Sequence, residues 1–89
     1  MRQAIFDALR RIRFEPVRAD EATVWIDGRE FGRVHKIRTR IRGRECWRWT
    51  AETNAGVRLD IREHERISAA RMLVSAVLQG KVPIWEVQQ

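Results

Sequence analysis

The sequence predicts an α+β domain: an N-terminal helix, an antiparallel meander of three or four strands, and a longer C-terminal helix packed on one face of the sheet. Three observations carry this. Apolar residues recur at helical spacing near both ends, β-branched and aromatic segments fill the middle, and Asp27-Gly28 and Gly43 mark turns between those segments.

In the first helix, residues 2–13, Ile5, Leu9 and Ile12 fall at i, i+4 and i+7, leaving Arg2, Asp7, Arg10 and Arg11 for solvent. Pro16 bars its continuation. Residues 14–21 read either as an edge strand or as an irregular link, because Pro16 removes a ladder donor and Ala19, Asp20 and Glu21 favour a turn. Residues 22–26 form a strand that enters Asp27-Gly28, a dipeptide suited to the positive φ angles of a type I′ hairpin turn. A return strand from Arg29 passes Phe31-Gly32, where the glycine marks a bulge, and reaches Ile41. Gly43 then turns the chain into a strand over 45–51. Val57, Leu59 and Ile61 alternate with Arg58, Asp60 and Arg62, which predicts a further strand. The last helix spans residues 63–79, with Ile67, Ala70, Leu73, Val74, Val77 and Leu78 on one stripe, Asp60 as candidate N-cap and Gly80 as the stop. The apolar tail around Trp85, residues 82–89, is expected to dock on the body or extend a sheet edge.

A chain of 89 residues makes one domain, residues 1–89, since a second core would bury too little surface. Four Trp and three Phe supply bulky core material. The single Cys46 excludes an internal disulfide and fits a reducing compartment. The opening residues hold no apolar run long enough for a signal peptide or a membrane span, so a cytoplasmic location without membrane attachment is expected.

Charge is unevenly distributed. Residues 29–48 carry eight cations against two carboxylates, a surplus equal to the net charge of +6 of the whole chain. The basicity is therefore a local patch, although sixteen Arg against two Lys is also a skew that high-GC coding produces. What the patch presents depends on the parity of the Gly43 turn, because a shift of one residue moves every side chain to the other face. A two-residue loop Gly43-Arg44 pairs Arg40 with Trp47 and Arg38 with Trp49, placing cations and indoles together as a stacking platform. A three-residue loop over residues 41–43 pairs Ile37 with Trp47 and His35 with Trp49, parting them. Burying a large apolar side chain contributes roughly 1.5–3 kcal/mol, more than surface charge pairing offsets. The hydrophobic pattern therefore favours the odd loop, with tryptophans in the core under the second helix and cations on the opposite face.

The candidate binding residues are Lys36, Arg38, Arg40, Arg42, Arg44 and Arg48; the guanidinium forks of the five arginines suit phosphate oxygens. The expected partner is nucleic acid, DNA or RNA, contacted through its backbone with little sequence preference. The alternative is a protein, an acidic or nucleic-acid-binding surface of a larger host assembly, since Arg is favoured at protein interfaces as well. An exposed edge strand or the tail also leaves a homodimer open.

No catalytic residue, metal site or cofactor is expected. Ser68 and Ser75 lie in the helix away from a plausible histidine, and the run Glu63-His64-Glu65 is not HExxH, because Ser68 stands where a second His is needed. Cys46 lies among arginines that would lower its pKa, yet strand cysteines are mostly inert. A deep pocket lined by His35, Cys46 or His64 would change this reading.

The strings WIDGREFGRV and WRW, followed by a helix containing ISAARMLVSAVL, resemble small bacterial and prophage proteins of hairpin-plus-helix design. The resemblance covers residues 25–78. It implies no activity. The order of helix, three strands and helix is also similar to that of the double-stranded RNA-binding domain, in topology alone; the last helix opens with Arg62, Arg66 and Arg71 where that family has a lysine cluster. In size and style the chain also resembles phage inhibitors of host nucleoprotein machines, the anti-CRISPR type, which would imply a protein or nucleoprotein target.

Overall fold

The computed structural model describes residues 2–80. Its elements run α1 (Arg2–Arg10), β1 (Arg13–Arg18), β2 (Glu21–Ile26), β3 (Arg29–Ile41), β4 (Arg44–Thr53) and α2 (Arg66–Gln79). The strands form one antiparallel sheet in chain order, and α2 packs across β3 and β4 while α1 packs on α2. The α+β architecture follows from the sequence as read. The tail around Trp85 lies outside the described residues.

The core lies between one sheet face and α2. Ala22, Val24, Ile26, Val34 and Ala51 meet Ala69, Ala70, Leu73 and Val74, with Leu59 and Ile61 closing one side and Ala8 reaching in from α1. Small alanines on the inner stripe of α2 let its backbone approach the sheet, which leaves the bulk of the filling to Leu73, Leu59 and the valines.

Three hairpins build the sheet. Asp27 and Gly28 take φ of 51° and 80°, the paired positive angles of a type I′ turn, as their side chains predict. In the β2–β3 ladder Val24 pairs with Gly32 and Trp25 with Glu30, so Phe31 is the extra residue of a bulge. Phe31 is buried by it.

Within residues 14–21 the edge strand extends to Arg18, Ala19 and Asp20 form the turn, and Glu21 begins β2. β1 pairs with β2 from Arg13 to Arg18, and its register shifts between Pro16 and Arg18, where Val17 is left exposed. Pro16 is tolerated because, among the described residues, no strand lies beyond β1 to want its missing donor. The first helix ends at Arg10, three residues earlier than its periodicity implies, since Arg13 already pairs with Trp25.

Two further expectations are overturned. Residues 57–61 form no strand; the segment after β4 touches it through isolated bridges only, Glu52 with Arg58 and Trp49 with Glu63. Between those bridges β4 advances three residues and the segment five, so the ladder cannot stay in register. Its alternation nevertheless reflects one-sided burial, with Leu59 and Ile61 inward. The last helix starts at Arg66 and not at Glu63, because Glu63 exchanges both backbone hydrogen bonds with Trp49, at 2.7 and 2.8 Å. Asp60 is therefore no cap. Glu65 holds the N-cap position without a side-chain hydrogen bond, and Gly80 at φ 68° closes the helix as expected, its N–H directed to the carbonyls of Ala76 and Val77.

Candidate nucleic-acid interface

The β3–β4 hairpin is longer than the sheet that supports it. β2 begins at Glu21, opposite His35, and the bond from the Lys36 N–H to the Asp20 carbonyl is the last that β3 receives from that side. Beyond it β3 and β4 run on without β2 through six residue pairs, from Lys36 with Trp49 to Ile41 with Arg44; the first is still braced at Trp49 by Glu63, and the other five have no third segment beside them among the described residues. This two-stranded arm is about 17 Å long at the usual rise per residue. Buried residues on the α2 side of the hairpin stop at Val34 and Ala51.

The arm closes through Arg42 and Gly43, at φ of 52° and 79°. This is a two-residue type I′ turn, and it corrects the register favoured from the sequence. Arg38 pairs with Trp47 and Lys36 with Trp49, so cations and indoles share a face. The odd loop rests on the gain of burying both indoles. That gain is absent here because the helical lid does not extend over the arm: Trp49, at the border, is half-buried against the core, and Trp47 is 52% exposed. With burial removed from the balance, the turn decides, since I′ geometry matches the right-handed twist of the flanking strands. The even loop falls on Arg42-Gly43 and not on Gly43-Arg44, which keeps the parity of the stacking platform but shifts each pairing by two residues. His35 accordingly lies opposite Thr50, not Trp49.

The six candidate residues all lie on the arm, on three different surfaces. Lys36, Arg38 and Arg40 occupy the face that is continuous with the core, together with Glu45, Trp47 and Trp49. Arg44 and Arg48 lie on the opposite face among Ile37, Thr39, Ile41 and Cys46, and Arg42 is at the tip. The Arg38 guanidinium lies 5.1 Å from the centre of the Trp47 ring and the Lys36 ammonium 5.4 Å from that of Trp49, both within cation–π range. Arg40 pairs with Glu45 at 3.8 Å and Arg38 with the same carboxylate at 3.6 Å. Both contacts are longer than a good hydrogen bond and join exposed partners, so they contribute about 1 kcal/mol at most. Arg48 bends to the Trp47 carbonyl oxygen at 2.8 Å. Among the described residues Arg42, Arg44 and Arg48 make no salt bridge, and Glu45 is the one carboxylate in the arm.

Outside the arm, twelve cations stand against eleven carboxylates. Arg33 bridges Glu21 and Glu52, Arg18 reaches Glu21, Arg11 holds Asp27 at 2.9 Å, and Arg62 meets Asp60. Arg66 and Arg29 lie over the rings of Phe14 and Phe31. The positive surplus thus resides in the arm.

His35 lines a solvent-open depression with Arg18, Arg33, Lys36, Arg58 and the carboxylates of Asp20, Glu21 and Glu52. Cys46 lies on the arm and His64 is exposed before α2, so the three residues do not converge. Among the described residues no group of three His, Cys, Asp or Glu side chains is placed to hold a metal ion, and no helix is long and apolar enough to cross a membrane. Comparisons with protein-family models, with curated proteins and with solved structures yield no match.

The sequence reading missed that the arm stands free of the rest of the sheet. The signal for it was length: the return strand covers 13 residues against six in its β2 partner, so half of it had to run on without a third strand.

Proposed function

We propose that the chain is a small nucleic-acid-binding module that neutralises backbone phosphates with its β3–β4 arm. The observation that supports this is the composition of the arm: Lys36, Arg38, Arg40, Arg42, Arg44 and Arg48 against Glu45 alone, on a ribbon accessible from both faces and the tip. Like charges in neighbouring positions of paired strands are mildly destabilising. A polyanion removes that repulsion, and Glu45, bound loosely to Arg38 and Arg40, is readily exchanged for phosphate oxygens. Contacts distributed over two faces and a tip fit a backbone followed along its length, with little demand for a particular base.

The test is a salt-titrated binding series. Each phosphate contact releases a condensed counterion, so four contacts to a single strand give a log–log slope on the order of −3. Arg38→Glu combined with Arg40→Glu lowers affinity about tenfold or more and flattens the slope, while Arg71→Glu, on the exposed side of α2, leaves both nearly unchanged. A salt-independent affinity, or binding indifferent to the double reversal, rejects the proposal and returns the arm to the protein-partner reading.

A further inference from the structure

We infer that the ligand of the arm is single-stranded, with an unpaired base stacking on Trp47; this rests on the nucleic-acid reading and names the form of the ligand. A two-stranded ribbon also has the cross-section to enter the major groove of a duplex, so shape alone does not separate the two forms. The indoles do.

Trp47 is 52% exposed on a strand where a smaller or polar residue would avoid that cost, and it shares its face with Lys36, Arg38, Arg40 and Glu45, with Trp49 as its aromatic neighbour. In a duplex each base shows the grooves only its edge, because its faces are covered by its neighbours. The planar surface of an indole finds no counterpart there. An unstacked base offers its whole face, and an aromatic ring flanked by cations that hold the adjoining phosphates is the arrangement by which single strands are held without sequence preference. Here Arg38 lies against the Trp47 ring while Lys36 and Arg40 flank it along β3 on the same face.

Spacing points the same way. Trp47 and Trp49 lie two residues apart on one face, about 7 Å along the strand, roughly twice the 3.4 Å axial step of one duplex strand. Neighbouring bases meet both rings only if the backbone is drawn out. Trp49 is half-buried with Lys36 over its ring, which leaves Trp47 as the principal platform and Trp49 as its anchored neighbour.

The experiment compares labelled oligodeoxythymidylate with a duplex of equal length, using wild-type chain, Trp47→Ala and Trp47→Phe. Because Trp47 is exposed, its removal leaves the fold in place, which circular dichroism verifies. Wild type is expected to bind the single strand more tightly than the duplex. Trp47→Ala should weaken single-strand binding about tenfold, with the salt slope unchanged, and leave duplex binding as it was. Trp47→Phe should recover most of the loss. Duplex binding stronger than single-strand binding, or an equal loss on both ligands, overturns this inference while leaving the phosphate-binding arm standing. Binding to neither ligand rejects both.

Discussion

Gly32 has φ of 146°, and a Cβ placed there would overlap the Glu52 carbonyl oxygen of the neighbouring strand. Glycine is required on two counts, conformation and space: it follows the bulged Phe31 with a positive φ and lies against the β4 backbone at Glu52 and Thr53. Gly32→Ala is expected to destabilise the fold by about 3 kcal/mol, lowering the melting temperature by about 10 °C or more. A shift of a degree or two in thermal denaturation would show that the bulge relaxes freely. Arg42 presents the opposite case. It holds φ of 52° in a turn whose first position favours Asn, and a left-handed conformation costs an ordinary side chain about 1 kcal/mol. Arg42→Asn should therefore raise the melting temperature by a few degrees while lowering affinity for nucleic acid, since it removes the tip cation. A variant neither more stable nor weaker in binding would contradict both the strain and the role of the tip.

Among the elements, the arm differs most from its surroundings. Two-stranded hairpins are marginal in isolation, and this one is held by cross-strand pairs worth about 0.2–1 kcal/mol each, against the buried base of the sheet around Val24, Val34 and Ala51. Amide hydrogens of residues 37–48 should exchange orders of magnitude faster than those of Val24 and Val34, and slow markedly when a polyanion binds. Equal protection throughout β3 would mean that something braces the arm. The element boundaries were legible where the signal was local: Asp27-Gly28 and Gly80 announce their own backbone angles, and β3 runs from Arg29 to Ile41 as its turn residues imply. They were illegible where another element decided them. The start of α2 depends on Glu63 being taken by Trp49, and the fate of residues 57–61 depends on a ladder that slips. The candidate residues could be read as a group from their charge, but their division between two faces could not. The hydrophobic pattern alone does not say where α2 ceases to cover the sheet.

Over the whole molecule, structural and electrostatic roles are separated. The compact end buries its apolar residues beneath α2 and pairs many of its cations with carboxylates, while the arm gathers the uncompensated charge. The outer edges of the sheet are managed as well. Pro16 and the shift beside it blunt β1, and the segment that returns after β4 occupies the far side of that strand through the Leu59 and Glu63 amides. On the arm, from Lys36 outward, the β3 edge has no such cover among the described residues. What protects it is mutual repulsion, for two arms laid edge to edge would set a dozen positive groups against two negative ones. The guanidinium crowd is thus a colloidal guard on a bare ribbon, and under the proposed function a polyanion that masks it would also lift the guard, tying adhesion between copies to the degree of loading.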